Sequence, residues 1–481
     1  MTTAGRTPGD APASVAICAP EARGWILTAA ILASAMGFID GSVVAIAMPA
    51  IRDGLGASLV GAQWIGAGYL LALSSLVLTG GAMSDRFGVA RVFALGIAVF
   101  VLASLACALA PTTATLIAAR VVQGLGAGLM VPGSMAIIAR AYPPDARGRA
   151  LGLWAAASSA STVAGPILGG VVLSSGPDWV WRLIFAINLP VGAFVLWILR
   201  TRTRPDPGRP GTPVDLIGAG LACASLALVA WGLTEGDVRF AMAGLALFAG
   251  FLLWEMRARA PMVRLALFRD GAFAAANLAT FFLWFALAAV LFYLPMTSVT
   301  AWQATGIEIT AVLLPLGVLI GVFSAPAGRM ADRVGPWPMI AAGALLVALA
   351  DAGLALVAPG ADMWRHILPL MALTGAGMAL VVAPLSAGVM AAAGESEQGA
   401  ASGINNAVAR VANLMAVALM GSVAATVYTR AGGADSFAAT AGAGEIHLAA
   451  TASGFAMVAW IAAAAAGAAA LIAATRIHRK T

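Results

Sequence analysis

Long apolar runs constrain this chain more than any other feature of its sequence. Runs of about 20 apolar residues, the length at which a helix crosses about 30 Å of hydrocarbon, recur along almost the whole chain. Hydrophobic residues make up 61% of the 481 residues and charged residues only 10%, too few to cover a water-soluble globule of this length. We therefore expect an all-α, multi-pass membrane protein whose partner is the lipid bilayer.

Glycine, proline and charged residues divide the apolar runs into fourteen predicted transmembrane helices. An even number of helices places both termini on the same side of the membrane. We expect a cytoplasmic tail (1–24), a six-helix bundle (25–199), a linker with two extra central helices (200–271), a second six-helix bundle (272–475) and a cytoplasmic tail (476–481).

The basic residues indicate which side faces the cytoplasm. Of 27 Lys and Arg residues, twenty fall on the side of the termini and five on the opposite side, while Arg120 and Arg410 lie inside helices. Basic residues are enriched on the cytoplasmic side, so both termini are predicted to be cytoplasmic. The preference for Arg over Lys and the many Ala and Gly residues are typical of a GC-rich bacterial genome. The predicted location is the bacterial cytoplasmic (inner) membrane.

The composition also excludes several functions. The net charge of +6 comes from basic residues scattered between apolar runs, so no nucleic acid is expected as a partner. Three cysteines and three histidines are widely spaced, which predicts neither disulfides nor a metal site. Phosphate loops and nucleophile elbows do not occur, so we expect no cofactor and no enzymatic activity.

A short loop motif occurs twice. Gly-Ala-Met-Ser-Asp-Arg-Phe-Gly follows the second predicted helix at 81–88, and Gly-Arg-Met-Ala-Asp-Arg-Val-Gly follows the tenth at 328–335. The same separation of 247 residues relates the start of the first predicted helix to that of the ninth. The two bundles are therefore predicted to be pseudo-symmetric halves, an architecture in which a transport site lies between the halves.

Five motifs follow one another along the chain. They are Asp40 to Pro49, Gly81 to Arg91, Arg120-Val-Val-Gln123-Gly124, Gly165-Pro166-Ile-Leu-Gly169-Gly170 and Trp181 to Gly192. In this order they resemble the major facilitator superfamily, and within it the fourteen-helix drug:proton antiporters. The resemblance covers nearly the whole chain, although Val89 and Ala90 stand where this family usually has basic residues. It implies a central cavity between the halves and proton-driven transport.

Asp40 and Arg120 are the central charged residues of this prediction. Ionisable residues within a span are candidates for function, and these two lie at similar depths of about 10–12 Å below the outer end of their helices. The resemblance implies that both line the cavity. A carboxylate that loses its cationic partner in a dry site takes up a proton, so we predict proton coupling by Asp40, Arg120 and Gln123. The alternative is a static ion pair that joins two helices.

The two loop motifs are predicted to form a cytoplasmic gate. Its residues are Gly81, Asp85, Arg86, Gly88, Arg91, Gly328, Asp332, Arg333 and Gly335. An aspartate is favourable at a helix N-terminus, so we expect Asp85 to contact the start of helix thirteen near Gly399, and Asp332 the start of helix five near Ala150. The alternative is a pair of solvated turns that only set the topology.

Helix five and the C-terminal half supply the other candidate residues. The motif of helix five is similar to one found in exporters of this family. Pro166 offers a kink, and the glycines Gly165, Gly169 and Gly170 offer a smooth surface for close helix contact, so we expect this helix to seal one side of the transporter. The alternative is a generic packing kink. We predict that the cavity is lined by Trp284, Phe285, Tyr293, Asn405 and Asn406. Asn405, Asn406 and Arg410 either face the cavity or cross-link helices, and the role of Asp351 stays open.

Together these features predict a monomeric, proton-coupled efflux antiporter that exports a hydrophobic drug-like or secondary-metabolite compound by alternating access. Its partners are that small molecule and protons. One alternative is a proton-coupled importer of the same fold. Another is a membrane scaffold or sensor that transports nothing, whose effects would not depend on Asp40 and Arg120.

Overall fold

A computed structural model describes residues 17–174, 179–206, 208, 211, 214–393, 397–434, 436–439 and 444–477. Most of both predicted tails lies outside these residues. The described part of the chain is helical and contains no strand. Its long helices are α1 (Arg23–Leu55), α2 (Leu59–Phe87), α3 (Val89–Ala108), α4 (Thr113–Ala141), α5 (Pro144–Ser174), α6 (Val180–Arg202), α7 (Leu216–Glu235), α8 (Val238–Glu255), α9 (Gly271–Ala301), α10 (Gly306–Val334), α11 (Pro336–Val357), α12 (Met363–Ala392), α13 (Gln398–Arg430) and α14 (Glu445–Ile477).

The predicted fourteen-helix fold is confirmed. Thirteen helices of the described residues are long and apolar enough to cross a membrane, and α5, with 31 residues, is a further long helix. Two helices have irregular starts, since α6 begins with the short segments Val180–Arg182 and Leu183–Ala186, and α12 begins with the π-helical turn Met363–Ile367. Because the number of long helices is even, α1 and α14 bring both termini to one end of the bundle. We call this the terminal end and the opposite one the far end.

Local chemistry fixes many helix ends. Thr112 before α4 and Thr305 before α10 form capping boxes, in which the threonine side chain and the third residue of the helix satisfy each other's backbone N–H groups. The first helix ends at Gly56, whose φ of 59° is the left-handed conformation that favours glycine. Prolines do not end these helices, since Pro49 in α1 and Pro132 in α4 both lie inside.

The sequence repeat reappears as a repeat of helix packing. In the N-terminal half α2 and α3 pack on α4, and α1 packs on α5. The same contacts recur eight helices later, where α10 and α11 pack on α12 and α9 packs on α13. The extra helices α7 and α8 pack on each other, and α7 also contacts α2 and α13. The Ser422 hydroxyl of α13 donates to the Leu233 carbonyl of α7. The extra pair therefore lies beside one seam between the halves.

Candidate functional site

The structure brings Asp40, Arg120 and Gln123 into one buried cluster. The Arg120 guanidinium lies 2.5 Å from Asp40 Oδ2, and Gln123 Nε2 donates to Asp40 Oδ1 at 2.9 Å. Arg120 also donates to Gln123 Oε1 at 2.6 Å and to the Ile65 carbonyl at 3.2 Å. Asp40 is 1% exposed and Arg120 2%. A guanidinium and an amide N–H, both aimed at one carboxylate, stabilise its charged form.

Neighbouring helices fix the geometry of this cluster. Gln123 Nε2 donates to the Ser104 hydroxyl of α3, and Asn188 of α6 donates to the same hydroxyl. The Arg120 guanidinium carbon lies 4.2 Å from the centroid of the Tyr69 ring and 5.8 Å from that of Phe185. All helices of the N-terminal half except α5 therefore contribute to the cluster. Both buried charges, on Asp40 and Arg120, have partners: they pair with each other, and Arg120 also stacks on aromatic rings.

A cavity of about 290 Å³ lies in the middle of the bundle, between the two halves. Its wall comes from α1, α2 and α4 of one half and from α9, α10 and α13 of the other. Most lining side chains are apolar; the larger polar ones are Tyr69, Arg120, Arg410 and Asn413. Asp40 does not line the cavity. Arg120 therefore stands between the Asp40 carboxylate and the space that a ligand would occupy.

None of the five residues predicted to line the cavity is among the residues that line it in this conformation. Phe285 and Tyr293 are buried in the core, and the Tyr293 hydroxyl donates to the Val417 carbonyl. Trp284 packs against the same core. Asn405 cross-links α13 to α9 by donating to the Thr280 hydroxyl, while Asn406 is exposed and donates to the Ser402 carbonyl of its own helix. Aromatic lining comes instead from Phe38, Tyr69 and Phe292.

Hydrogen bonds between the halves close the far end of the bundle. Arg52, at the end of α1, is 6% exposed and donates to the carbonyls of Phe437 and Ala438 at 3.0 and 2.9 Å. These carbonyls belong to the segment between α13 and α14. Deeper in the same seam, Gln63 Nε2 of α2 donates to the carbonyls of Val417 and Ala418 of α13. A ligand in the cavity therefore cannot leave through the far end.

Glycines of α5 add a second seal at the far end. A Cβ atom at Gly165 or Gly169 would meet Ser42 or Ile46 of α1, so both glycines allow close packing within the N-terminal half. A Cβ atom at Gly170 would meet Thr310 and the Gly306 carbonyl of α10, in the other half. Pro166 lies in the same helix, but its side chain is outside the described part of the structure.

The terminal end is open along the same pair of helices. Gly152 of α5 lies five helical turns before Gly170 on the same face, and Gly321 of α10 lies three turns after Thr310. A Cβ atom at Gly152 or at Gly321 would meet nothing within 4 Å. Among the described residues, no hydrogen bond joins α1–α6 directly to α9–α14 at this end. The two helices therefore touch at the far end and separate towards the terminal end.

The two repeated motifs form the last turns of α2 and α10, and their Asp-Arg pairs are exposed at the terminal end. Asp85 lies 3.9 Å from Arg140 of α4, not at the start of α13. Asp332 and Arg333 are exposed and form no ion pair among the described residues. Arg86 lies over the ring of the adjacent Phe87, and Arg91 is exposed. The interhelical contacts predicted for a closed gate are thus absent from the described residues in this conformation.

Three polar residues that the sequence prediction missed have clear structural roles. Asp206, after α6, accepts a hydrogen bond from the Val89 backbone at the start of α3 and lies 3.5 Å from Arg140. An acidic residue among the arginines after α6 was the available signal. Arg52 and Gln63 bind backbone carbonyls, which leave no signature in the sequence.

Two pseudo-symmetric helical halves around a central cavity, closed at one end and open at the other, define a membrane transporter. The chain belongs to the Major Facilitator Superfamily, whose family model matches residues 30–417. It is 33% identical to the methylenomycin A resistance protein of Bacillus subtilis (strain 168) over 412 residues, which cover 82% of this chain and 87% of that protein. The tetracenomycin C resistance and export protein of Streptomyces glaucescens is 32% identical over 401 residues, which cover 81% of this chain and 73% of that protein.

The solved structures show the same fold. A bacterial homologue of the human lysosomal transporter Spinster, in an inward-facing and unoccupied conformation, superposes with a TM-score of 0.69 and 15% identity. The match covers 95% of this chain and 97% of that one. Membership of this family confirms the resemblance predicted from the sequence. The protein is a multi-pass membrane transporter and not an enzyme.

Proposed function

We propose that this protein is a proton-coupled exporter of hydrophobic small molecules in the bacterial cytoplasmic membrane, with both termini in the cytoplasm. The observation that carries the proposal is the buried cluster of Asp40, Arg120 and Gln123 beside the central cavity. A carboxylate within the membrane is energetically unfavourable, and such residues usually mark functional sites. Support for export comes from the relatives, which are named for antibiotic resistance and, in one case, for export.

The geometry suggests how a proton is bound and released. In this conformation Asp40 is held by Arg120 and Gln123 and shielded from the cavity. A movement of α4 relative to α1 that draws the Arg120 guanidinium away leaves Asp40 unpaired in a dry site, where the neutral form is favoured and a proton is taken up. Return of Arg120 expels that proton. Proton binding and the Asp40–Arg120 contact are therefore mutually exclusive.

The distribution of basic residues supports this orientation. Twenty of the 27 Lys and Arg residues lie on the side of the termini, which the positive-inside rule assigns to the cytoplasm. The open end of the described structure is the terminal end, so this conformation receives its ligand from the cytoplasm. The far end then faces the outside and is the exit.

The test uses everted membrane vesicles with an acidic interior, in which an exporter concentrates its substrate inside. Methylenomycin A and tetracenomycin C are the first compounds to assay, followed by hits from a susceptibility screen of expressing cells. We expect Asp40→Asn to abolish uptake driven by the pH gradient while the protein still folds. The matched control is Asp351→Asn, which removes another carboxylate with 1% exposure, on α11.

Each outcome has a distinct meaning. Retained gradient-driven uptake in Asp40→Asn, or its loss only in Asp351→Asn, would refute the role given to Asp40. Expressing cells that accumulate the compound instead of excluding it would show import rather than export. Phenotypes that are the same in the Asp40 variant and the parent, without any transport, would favour a scaffold or sensor.

A further inference from the structure

One cation at the cavity has no partner among the residues that the structure describes. Among the residues that line it, only Arg120 and Arg410 are charged. The Arg120 guanidinium is already bonded to Asp40, Gln123 and the Ile65 carbonyl. Arg410, on α13 in the opposite half, forms no ion pair and no side-chain hydrogen bond with any described residue.

The sequence of the surrounding helices offers Arg410 no acidic partner. The six helices that line the cavity carry, away from their ends, a single acidic residue, Asp40. Its carboxylate is engaged on both oxygens and lies behind Arg120. Arginine stays protonated in proteins, so Arg410 is a permanent charge facing the cavity. An unpaired charge in such surroundings is unfavourable unless another molecule supplies the counter-charge.

The remainder of the cavity wall is suited to an apolar molecular body. Leu287, Leu291 and Phe292 of α9 and Leu313 and Ile320 of α10 face the same space as Arg410. A volume of about 290 Å³ is at the lower end of the range of small-molecule sites. The cavity thus combines the guanidinium of Arg410, whose paired N–H groups fit a carboxylate, with hydrophobic walls. This combination suits a compact molecule with an apolar ring system and a carboxylate.

We propose that the central cavity binds an amphipathic organic anion and that Arg410 is the residue that binds its carboxylate. This rests on the proposed transport function and adds the charge of the substrate. Asp40 stays paired with Arg120 in the ligand-receiving conformation, so Arg410 alone contacts the anion. Export of an anion and entry of a proton both move positive charge inwards, so the inside-negative membrane potential drives both movements.

The experiment compares charge-matched compounds on the purified full chain in detergent. The probes are naphthalene-2-carboxylate, naphthalene-2-carboxamide and 2-naphthylmethylamine, together with the corresponding anthracene series, and binding is followed by the concentration dependence of the thermal unfolding midpoint. The variants are Arg410→Gln and Arg410→Lys. Arg430→Gln, which removes an exposed arginine from the end of the same helix, is the matched control.

We expect the parent protein and Arg430→Gln to bind each carboxylate about 10- to 150-fold more tightly than its amide, as for a charged hydrogen bond. Arg410→Gln should lose this preference but keep its affinity for the amides, and Arg410→Lys should keep part of it because the charge remains. The proposal is overturned if no carboxylate in the panel binds more tightly than its amide, or if Arg410→Gln keeps the preference. Both results are separate from the Asp40→Asn test, which concerns coupling and not ligand charge.

Discussion

Arg52 provides the sharpest test of how the far end is closed. Its guanidinium Nη1 donates to the carbonyls of Phe437 and Ala438 at 3.0 and 2.9 Å, and its Nη2 to the Ser436 hydroxyl at 3.3 Å. All three bonds cross from the N-terminal to the C-terminal half. They exist only while the far end is closed, so the Arg52→Gln substitution should destabilise the closed state relative to the open one.

The size of the effect follows from these contacts. In the open state water replaces the carbonyls, and the glutamine amide can still donate in the closed state. We therefore assign each of the two short bonds a loss of about 1–1.5 kcal/mol, below the range of about 1.5–3 kcal/mol for a charged hydrogen bond that is lost completely. The bond to Ser436 is longer, and we assign it little. The total of about 2–3 kcal/mol corresponds to a 30- to 150-fold shift in the ratio of the two states. An open population of about 1% would rise to at least about a quarter.

Distances between spin labels across the far end measure this shift. One label replaces Pro111, between α3 and α4, and the other replaces Gly360, between α11 and α12; both sites are exposed. The background lacks the three native cysteines. Arg182→Gln is the matched control, because Arg182 also donates to two carbonyls, those of Ala108 and Ala110, but within its own half.

We expect Arg52→Gln to add a population at longer distance that is absent from the parent and from Arg182→Gln. An unchanged distance distribution in Arg52→Gln, in protein that is folded, would refute the inference that these bonds hold the far end closed. An equal shift in Arg182→Gln would show a general loosening of the N-terminal half instead.

Two further substitutions test the packing. Gly170→Val should reduce transport at least tenfold and open the far end, because the valine side chain would meet Thr310 and the Gly306 carbonyl. Gly152→Val is the control and should retain transport, because Gly152 lies on the same face of α5 in open space. Equal losses of transport in both variants would contradict the seal at Gly170. Asp351→Asn should leave the thermal unfolding midpoint unchanged or raise it by the equivalent of up to about 1–2 kcal/mol. Both carboxylate oxygens are buried, and neither has a hydrogen-bond partner among the described residues. A clear fall of the midpoint would show that the carboxylate stabilises the fold.

The sequence predicted the fold and the buried cluster for the same physical reason. Charges are so unfavourable in hydrocarbon that their placement carries much information, both at helix ends, where they set the topology, and within spans, where they must be paired. Asp40 and Arg120 lie at similar depths in separate helices, and the structure brings them to 2.5 Å. Helix ends were less predictable: a proline inside a helix usually breaks or kinks it, but α1 continues through Pro49 to Leu55.

Helix rotation explains why the cavity residues could not be predicted. Adjacent residues on a helix point about 100° apart, and α9 is apolar and aromatic on all sides. Phe292 therefore lines the cavity while Tyr293, the next residue, is fully buried and donates to the Val417 carbonyl. A helix without a polar face does not indicate which side meets lipid, core or cavity. The same limit applied to Arg410, whose orientation is set by the packing of α13 against α2 and α9.

The two ends of the bundle are linked by the geometry of α5 and α10. Each helix is about 45 Å long, and they touch near Gly170 and Thr310 while Gly152 and Gly321 stand in open space. A tilt that closed the terminal end along this pair would separate the far end and break the bonds of Arg52. In the proposed cycle, Asp85 and Asp332, exposed here, then gain partners at the terminal end. Bonds lost at one end are thereby offset at the other, which keeps the two states within the few kcal/mol that alternating access requires.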